Sequence, residues 1–324
     1  MGTVTGLVRG AFGWHRPLMW FATFAAVVTA VAAVGLVVDD RVLVGAPIWA
    51  KPCKFAFSFG LYAVTWAWMY SLQRRHRRFG WYLGVAAALA CTFEVAVVLL
   101  QTVRGHRSHF NVSTPFDTAM WTIMGVSIFV LWFANLAGTV LLIGERHVDR
   151  PMLLALRLGA LITVAGMTIA FLMTWGTDEQ RAHRPMKIIG SHSVGVPDGG
   201  PGMAITGWST TGGDLRVPHF IGIHGLQVVP LFAVVLGLLV AGRPRLRDEL
   251  VRIRLVWVFA GAYAGAFVLT AWQALRRQPL SSPDLLTGGA LGVLVAGTMF
   301  AAAWALRAKK REPARALVPE EALV

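Results

Sequence analysis

Two histidines and a glutamine open the sixth apolar stretch of the chain, GDLRVPHFIGIHGLQVVP at 213–230. On an ideal α-helix at 100° per residue, His219, Gln227 and His224 fall within one arc of about 140°. Polar groups on one side of a membrane helix need partners, because an unpaired one in hydrocarbon costs several kcal/mol. Imidazoles in that setting are ligands for a haem iron or a divalent metal ion, or donors to an anion. His219 and His224 are therefore the first candidates as metal or haem ligands, with Gln227 beside them. They rise from one helix about 7.5 Å apart and cannot clamp one iron from opposite faces. A second ligand is expected from elsewhere, and His109 in RGHRSHFN (104–111) is the best placed.

Glu94 lies nine residues before Val103, about 14 Å down its helix at 1.5 Å per residue and so near mid-membrane. An ionisable group at that depth is functional or paired with a cation. It is the candidate catalytic residue, with Lys54, Arg104 and the two histidines as candidate partners. Gln101 stands one i+7 step above it on the same face. The helix ends on this side also carry Lys51, Lys54, Arg104, Arg107, Arg216, Arg276 and Arg277. Cations gathered there suit an anionic ligand or haem propionates.

The elements that position these residues follow from composition. The 324 residues are 56% hydrophobic and 14% charged. That is too few charges for a soluble domain and marks a membrane protein in contact with a lipid bilayer. The net charge of +14 sits in short clusters between apolar runs, the pattern of membrane topology rather than of a nucleic-acid partner. Eight stretches are long enough to span, at 17–38, 53–72, 80–103, 117–144, 152–176, 217–241, 254–275 and 284–307. The reading is an all-α polytopic protein with a single membrane domain over 1–307. The N-terminal segment MGTVTGLVRGAFGWHRP shows no cleavage pattern, so the first stretch is expected to be a membrane helix.

With the N-terminus cytoplasmic, inside segments hold 18 Lys and Arg and outside segments 11. Both termini are thus expected on the cytoplasmic side of the cell (inner) membrane. The 308–324 tail reads as disordered. The unusual polar motifs then all face outward. The Gly-rich loop 177–216 is expected to be an ordered lid over them. The inner half of each helix reads as apolar. Its one exception is Arg157, within snorkelling reach of the cytoplasm, so a one-sided site with no polar path is expected.

Matched motifs suggest an internal repeat of 15–144 and 149–307. HRPLM (15–19) matches DRPML (149–153), and KFAFSFGL (54–61) matches HFIGIHGL (219–226). Gln101–Arg104 matches Gln273–Arg276, and STPFD (113–117) matches SSPD (281–284). Four helices per half make this a 4+4 parallel duplication. Lys54 then corresponds to His219 and Gln101 to Gln273. Helices 2, 3, 6 and 7 would surround a central site near the outer end.

Eight helices, both termini inside, the 4+4 duplication and outward-facing histidines resemble haem A synthase in architecture. That family carries paired ligand histidines on four helices, symmetrically in its halves. Here Lys54 stands at the helix 2 counterpart of His219, and helices 4 and 8 contain no histidine. What carries over is His219 or His224 as a haem ligand. RGHRSHFN and DGGPG…WST..GDLRVPHF.G.H.LQ also look like motifs of uncharacterised bacterial multi-pass membrane proteins. The expected function is an outward-facing polar site that binds b-type haem in a redox role, with propionates paired by Lys54, Arg104 or Arg216. The alternatives are a metal-dependent membrane enzyme drawing on His192, Asp198, Asp214 and Glu94, and a transporter or binder of a small anion.

Overall fold

Apolar runs closed by capping residues set the helices. The computed structural model describes residues 10–182 and 185–307, so the 308–324 tail lies outside the described residues. Among them run α1 (Arg16–Val38), α2 (Ala50–Ser71), α3 (Arg77–Arg104), α4 (Pro115–Ile143) and α5 (Arg150–Met173). The second half holds α6 (Arg216–Ile223), α7 (Gly225–Leu239), α8 (Glu249–Leu275) and α9 (Leu285–Leu306). Thr114, Asp248 and Asp284 cap α4, α8 and α9 by accepting from backbone N–H groups of the first turn. Gly105, at φ 73°, closes α3 in the left-handed region.

Six of these helices are long and apolar enough to cross a membrane, and α6 with α7 makes a seventh if that pair is one bent span. The chain is a nearly all-α, multi-pass membrane protein. The 22 residues of α2 are sufficient in length, but Lys51, Lys54, Tyr62, Trp66, Trp68 and Tyr70 make it less apolar than its neighbours.

The sixth stretch is not the continuous helix expected over 217–241. It breaks at His224 with a bend of 44°. Pro230 cannot donate to the carbonyl four residues back, which loosens the preceding turn. Side chains take over the freed backbone groups. Thr163 of α5 accepts from Leu226 N at 2.9 Å and donates toward the carbonyls of Gly222 and Ile223. Tyr263 of α8 donates to Ile221 O at 2.6 Å. The break sits where α5 touches α6 and α7 backbone to backbone. A Cβ on Gly166 would stand 2.5 Å from Gly222 Cα, and one on Gly159 would stand 2.6 Å from Gly225 O. Small residues allow this approach.

Neighbour relations are alike in the two halves. In the first, α1 packs on α2 and α3, α2 on α3, and α3 on α4. In the second, α5 packs on the α6–α7 pair and α8, that pair packs on α8, and α8 on α9. Among the described residues of α9 only Thr287 and Ala305 are buried.

Long connections gather at one end of the bundle. They are a hairpin of β1 (Val42–Leu43) and β2 (Ala46–Pro47), the 105–114 segment, and the Gly-rich loop after α5. The described part of that loop is held by a short pairing of β3 (Ser193–Val194) with β4 (Gly213–Asp214), in register Ser193↔Asp214 and Val194↔Gly213.

Candidate functional site

The described part of the Gly-rich loop, expected as an ordered lid, is tied to the rest of the fold at several points. Ile189 N donates to Phe110 O at 2.8 Å, and Ser191 N to Met173 O at 2.9 Å. Lys54 Nζ donates to Thr206 O at 2.9 Å. Gly45, at φ 73°, lies so close to Gly199 that a Cβ there would stand 2.7 Å from its carbonyl oxygen. The loop therefore covers the α1–α2 hairpin, the 105–114 segment and the start of α2 together.

Beneath it, side chains from five segments share one space. His109 comes from the α3–α4 connection, His192 and Asp198 from the lid, His219 from α6, Lys51 from α2 and Glu94 from α3. His109 lies within electrostatic reach of Lys51, His192 and His219. Lys51 in turn lies near Glu94, Asp198 and Arg216. All three imidazoles and Lys51 are half-buried. The region these side chains share is termed the chamber.

The ring nitrogens are set by their partners. His192 Nδ1 donates to Asp198 Oδ2 at 2.8 Å, and the same carboxylate accepts from His192 N, Ser193 N and Ser191 Oγ. His219 Nδ1 donates to Gly166 O at 2.8 Å, a carbonyl exposed to it by the close α5–α6 crossing. His109 Nδ1 pairs with Ser108 Oγ at 3.2 Å. Each Nδ1 is engaged, which leaves Nε2 free for the chamber. The His109 and His192 ring centres are 6.5 Å apart. Phe55, Phe110 and Trp121 wall His109. Among the described residues no three His, Cys, Asp or Glu side chains stand together as a metal-binding group.

Charge follows enclosure. His109 is held well below the ordinary imidazole value by burial first, then by Lys51 and its two histidine neighbours. Burial also lowers His192, against the opposing pull of Asp198. Burial would raise the Asp198 carboxyl, but hydrogen bonds from the His192 ring and two backbone amides outweigh it and hold it well below the carboxylate range.

The other expected site residues are placed differently. Arg104 and Gln101 close a network on Asp117. Arg104 donates to Asp117 Oδ1 at 2.8 Å and to Gln101 Oε1, and Gln101 Nε2 donates to the same Asp117 oxygen. Arg216 is bound to Asp214 and to Gly207 O. Lys54 is exposed and holds the lid. The 44° bend distorts the arc drawn along a straight helix, yet His219 still lies within electrostatic reach of His224, and Gln227 stands beside His224. His224 stacks edge-on against Phe220 at 4.4 Å, with Nε2 buried and unpartnered. Lys51 and the His192–Asp198 pair join His109 and His219. Their signals lay in WAKPCKF and in the six-residue step of SHSVGVPD.

Arg157 reaches the end of the neighbouring helix α4. It donates to the carbonyls of Leu142, Ile143 and Glu145 and so caps the end of α4. One further expectation changes, for the bundle below the chamber is not uniformly apolar. Glu94, Tyr62, Trp66, Asn135 and Gln73 all bury polar atoms without a protein partner. The chain matches no family model, no curated protein and no solved structure.

Proposed function

We propose that this chain binds a transition metal through imidazole nitrogens in the lidded chamber, as a b-type haem iron or as a bare divalent ion, and serves a redox role. The observation that carries it is the His109–His192 pair, 6.5 Å between ring centres, with both Nδ1 atoms engaged and both Nε2 atoms free. His109 and His192, at that separation, would be the residues to hold such a metal through their Nε2 atoms. His192 backed by Asp198 is the carboxylate–histidine arrangement that fixes a metal ligand's tautomer. His219 is the third donor at hand. A pair of imidazoles is the number a six-coordinate haem iron takes from protein, and the aromatic wall at His109 suits a macrocycle. Lys51 is the cation free to meet a propionate, since Lys54, Arg104 and Arg216 have other partners. When bound, the metal supplies electron transfer or Lewis acidity.

The wider setting belongs to the same proposal. All eight helical segments cross the membrane, with both termini cytoplasmic and the lid outside, in keeping with the 18 to 11 excess of Lys and Arg. The two halves are parallel repeats, supported by the shared neighbour relations and by the matching Arg104–Asp117 and Arg276–Asp284 pairs.

An absorption spectrum of detergent-purified protein, before and after dithionite, combined with elemental analysis, separates the two sources. A Soret band that shifts on reduction identifies haem. A metal signal without a Soret band identifies the bare ion. Neither signal, even after haem and metal ions are added, contradicts the proposal.

A further inference from the structure

A column of buried polar atoms runs from the chamber toward the opposite end of the bundle. On α2, Lys51, Phe55, Phe59, Tyr62, Trp66 and Tyr70 recur every three or four residues, and Gln73 continues the series just past the helix. At 100° per residue they share an arc of about 100°, and the span from Lys51 to Gln73 is about 33 Å at 1.5 Å per residue. That length matches the hydrocarbon core of a bilayer, about 30 Å. The face opposite, on α3, steps from Glu94 through Cys91, Ala87 and Gly84 to Gly80. Small residues there let side chains lie against the helix backbone: Gly84 meets the His15 ring and Gly80 meets Gln73. Electrostatic contacts run in sequence from Lys51 to Glu94, from Glu94 to Cys91, from Cys91 to Tyr62, and from Tyr62 to Trp66 and Tyr70.

Ten buried side-chain polar atoms lack a protein partner among the described residues. Seven of them lie on α2, α3 and α4 or just past α2: both oxygens of Glu94, Tyr62 Oη, Trp66 Nε1, Asn135 Oδ1 and both polar atoms of the Gln73 amide, with the Tyr62 and Trp66 side chains near enough to interact with each other. Glu94 and Asn135 are fully buried, and Trp66 and Gln73 are within 2% of it. Unpaired groups scattered through hydrocarbon would each cost several kcal/mol. Contributed by three neighbouring helices, with donors and acceptors mixed, they are what a file of buried water needs, since such a water takes two to four polar partners. Gln73 ends the file beside the Arg74 and Arg75 amides, which donate to the buried Glu145 carboxylate, itself 3.1 Å from His147.

We propose that this column is a water-filled proton path between the lidded chamber and the opposite face, with Glu94 as the group that takes up and releases the proton. A column water gives a proton to the Glu94 carboxylate, and Glu94 passes one to a chamber water beside Lys51. One proton enters at one end and one leaves at the other, with no change of oxidation state. The path is independent of whether the chamber holds a metal.

The test is proton flux into vesicles carrying the full chain, read by a trapped pH-sensitive dye under a potassium potential set with valinomycin. The expected result is uptake above that of protein-free vesicles, falling to the protein-free level in Glu94→Gln and reduced in Asn135→Leu. Should Glu94→Gln fail to fold, Gln73→Leu at the far end gives the same reading. Wild-type flux equal to empty vesicles, or flux untouched by these substitutions in folded protein, overturns the proposal.

Discussion

Arg104 donates to the fully buried Asp117 carboxylate at 2.8 Å across the α3–α4 corner, and Arg276 makes the same pairing with Asp284 at 2.6 Å across the α8–α9 corner. The two corners are built alike but buried unequally, for Asp284 keeps 40% of its side-chain surface exposed. Asp117→Ala leaves Gln101 and Arg104 without their acceptor and is expected to cost about 1–3 kcal/mol. Asp284→Ala is expected to lower the thermal midpoint by less. Melting both variants in the same detergent checks the order. Equal losses would show that burial does not set the difference.

The helix break depends on α5. Thr163→Val removes the group that accepts from Leu226 N and donates to the Gly222 and Ile223 carbonyls, at an expected cost of about 1–3 kcal/mol. Gly222→Val should cost more, since even a Cβ at that position would collide with the Gly166 backbone. It should also part His219 from Gly166 O and weaken whatever the chamber binds. Thermal melts read the first effect, and metal content reads the second.

Acidification should loosen the lid in two stages. His109 and His192 titrate below the ordinary 6.5 in the fold. As pH falls through 6.5, the unfolded chain binds protons that the fold refuses, so stability declines from there downward. Asp198 lies below the ordinary 3.8 in the fold, so its contribution is intact above 3.8 and is lost as pH drops further. The thermal midpoint should therefore fall from pH 6.5 to about 5, and again below about 4. Asp198→Asn should shrink the second fall but not abolish it, because Asp117 is also held below the ordinary 3.8 in the fold. A midpoint flat across both windows would argue against these enclosed groups.

Asp198→Asn keeps the shape of the side chain but weakens its hold on the His192 ring. Loss of such an outer partner lowers metal affinity by about 10–100-fold. Titration with Co²⁺ or Zn²⁺ against a competing chelator would show it. An unchanged affinity would mean that Asp198 holds the lid but not a ligand.

The helices were legible because long apolar runs between capping residues leave little choice: seven of the eight expected stretches coincide with one continuous helix each, and the sixth is broken at His224. The site was legible only in part. His219 and Glu94 declared themselves as polar groups at membrane depth and His109 as a donor in the 104–117 connection; His109 and His219 lie within reach of one another, and Glu94 lies near Lys51. Gln101, Arg104 and Arg216 looked the same in sequence. Only three-dimensional proximity reveals that Asp117 and Asp214 engage them. The break at His224 was written in Gly222, Gly225 and Pro230, but glycine and proline also occur in unbroken membrane helices, so the arc drawn along 219–227 assumed a straightness the chain lacks. The polar column was hidden because Tyr, Trp and Asn spaced by three or four read as ordinary interior packing until each is seen to lack a partner.

The most direct test of the central claim is the metal content of purified wild-type protein beside His192→Ala and His147→Ala, by elemental analysis and absorption. His147 pairs with Glu145 at the other end of the bundle and serves as the control. The account predicts stoichiometric metal, as haem iron or as a bare ion, in wild type and His147→Ala, and its loss in His192→Ala. Wild type free of metal after loading, or metal retained unchanged in His192→Ala, would contradict it.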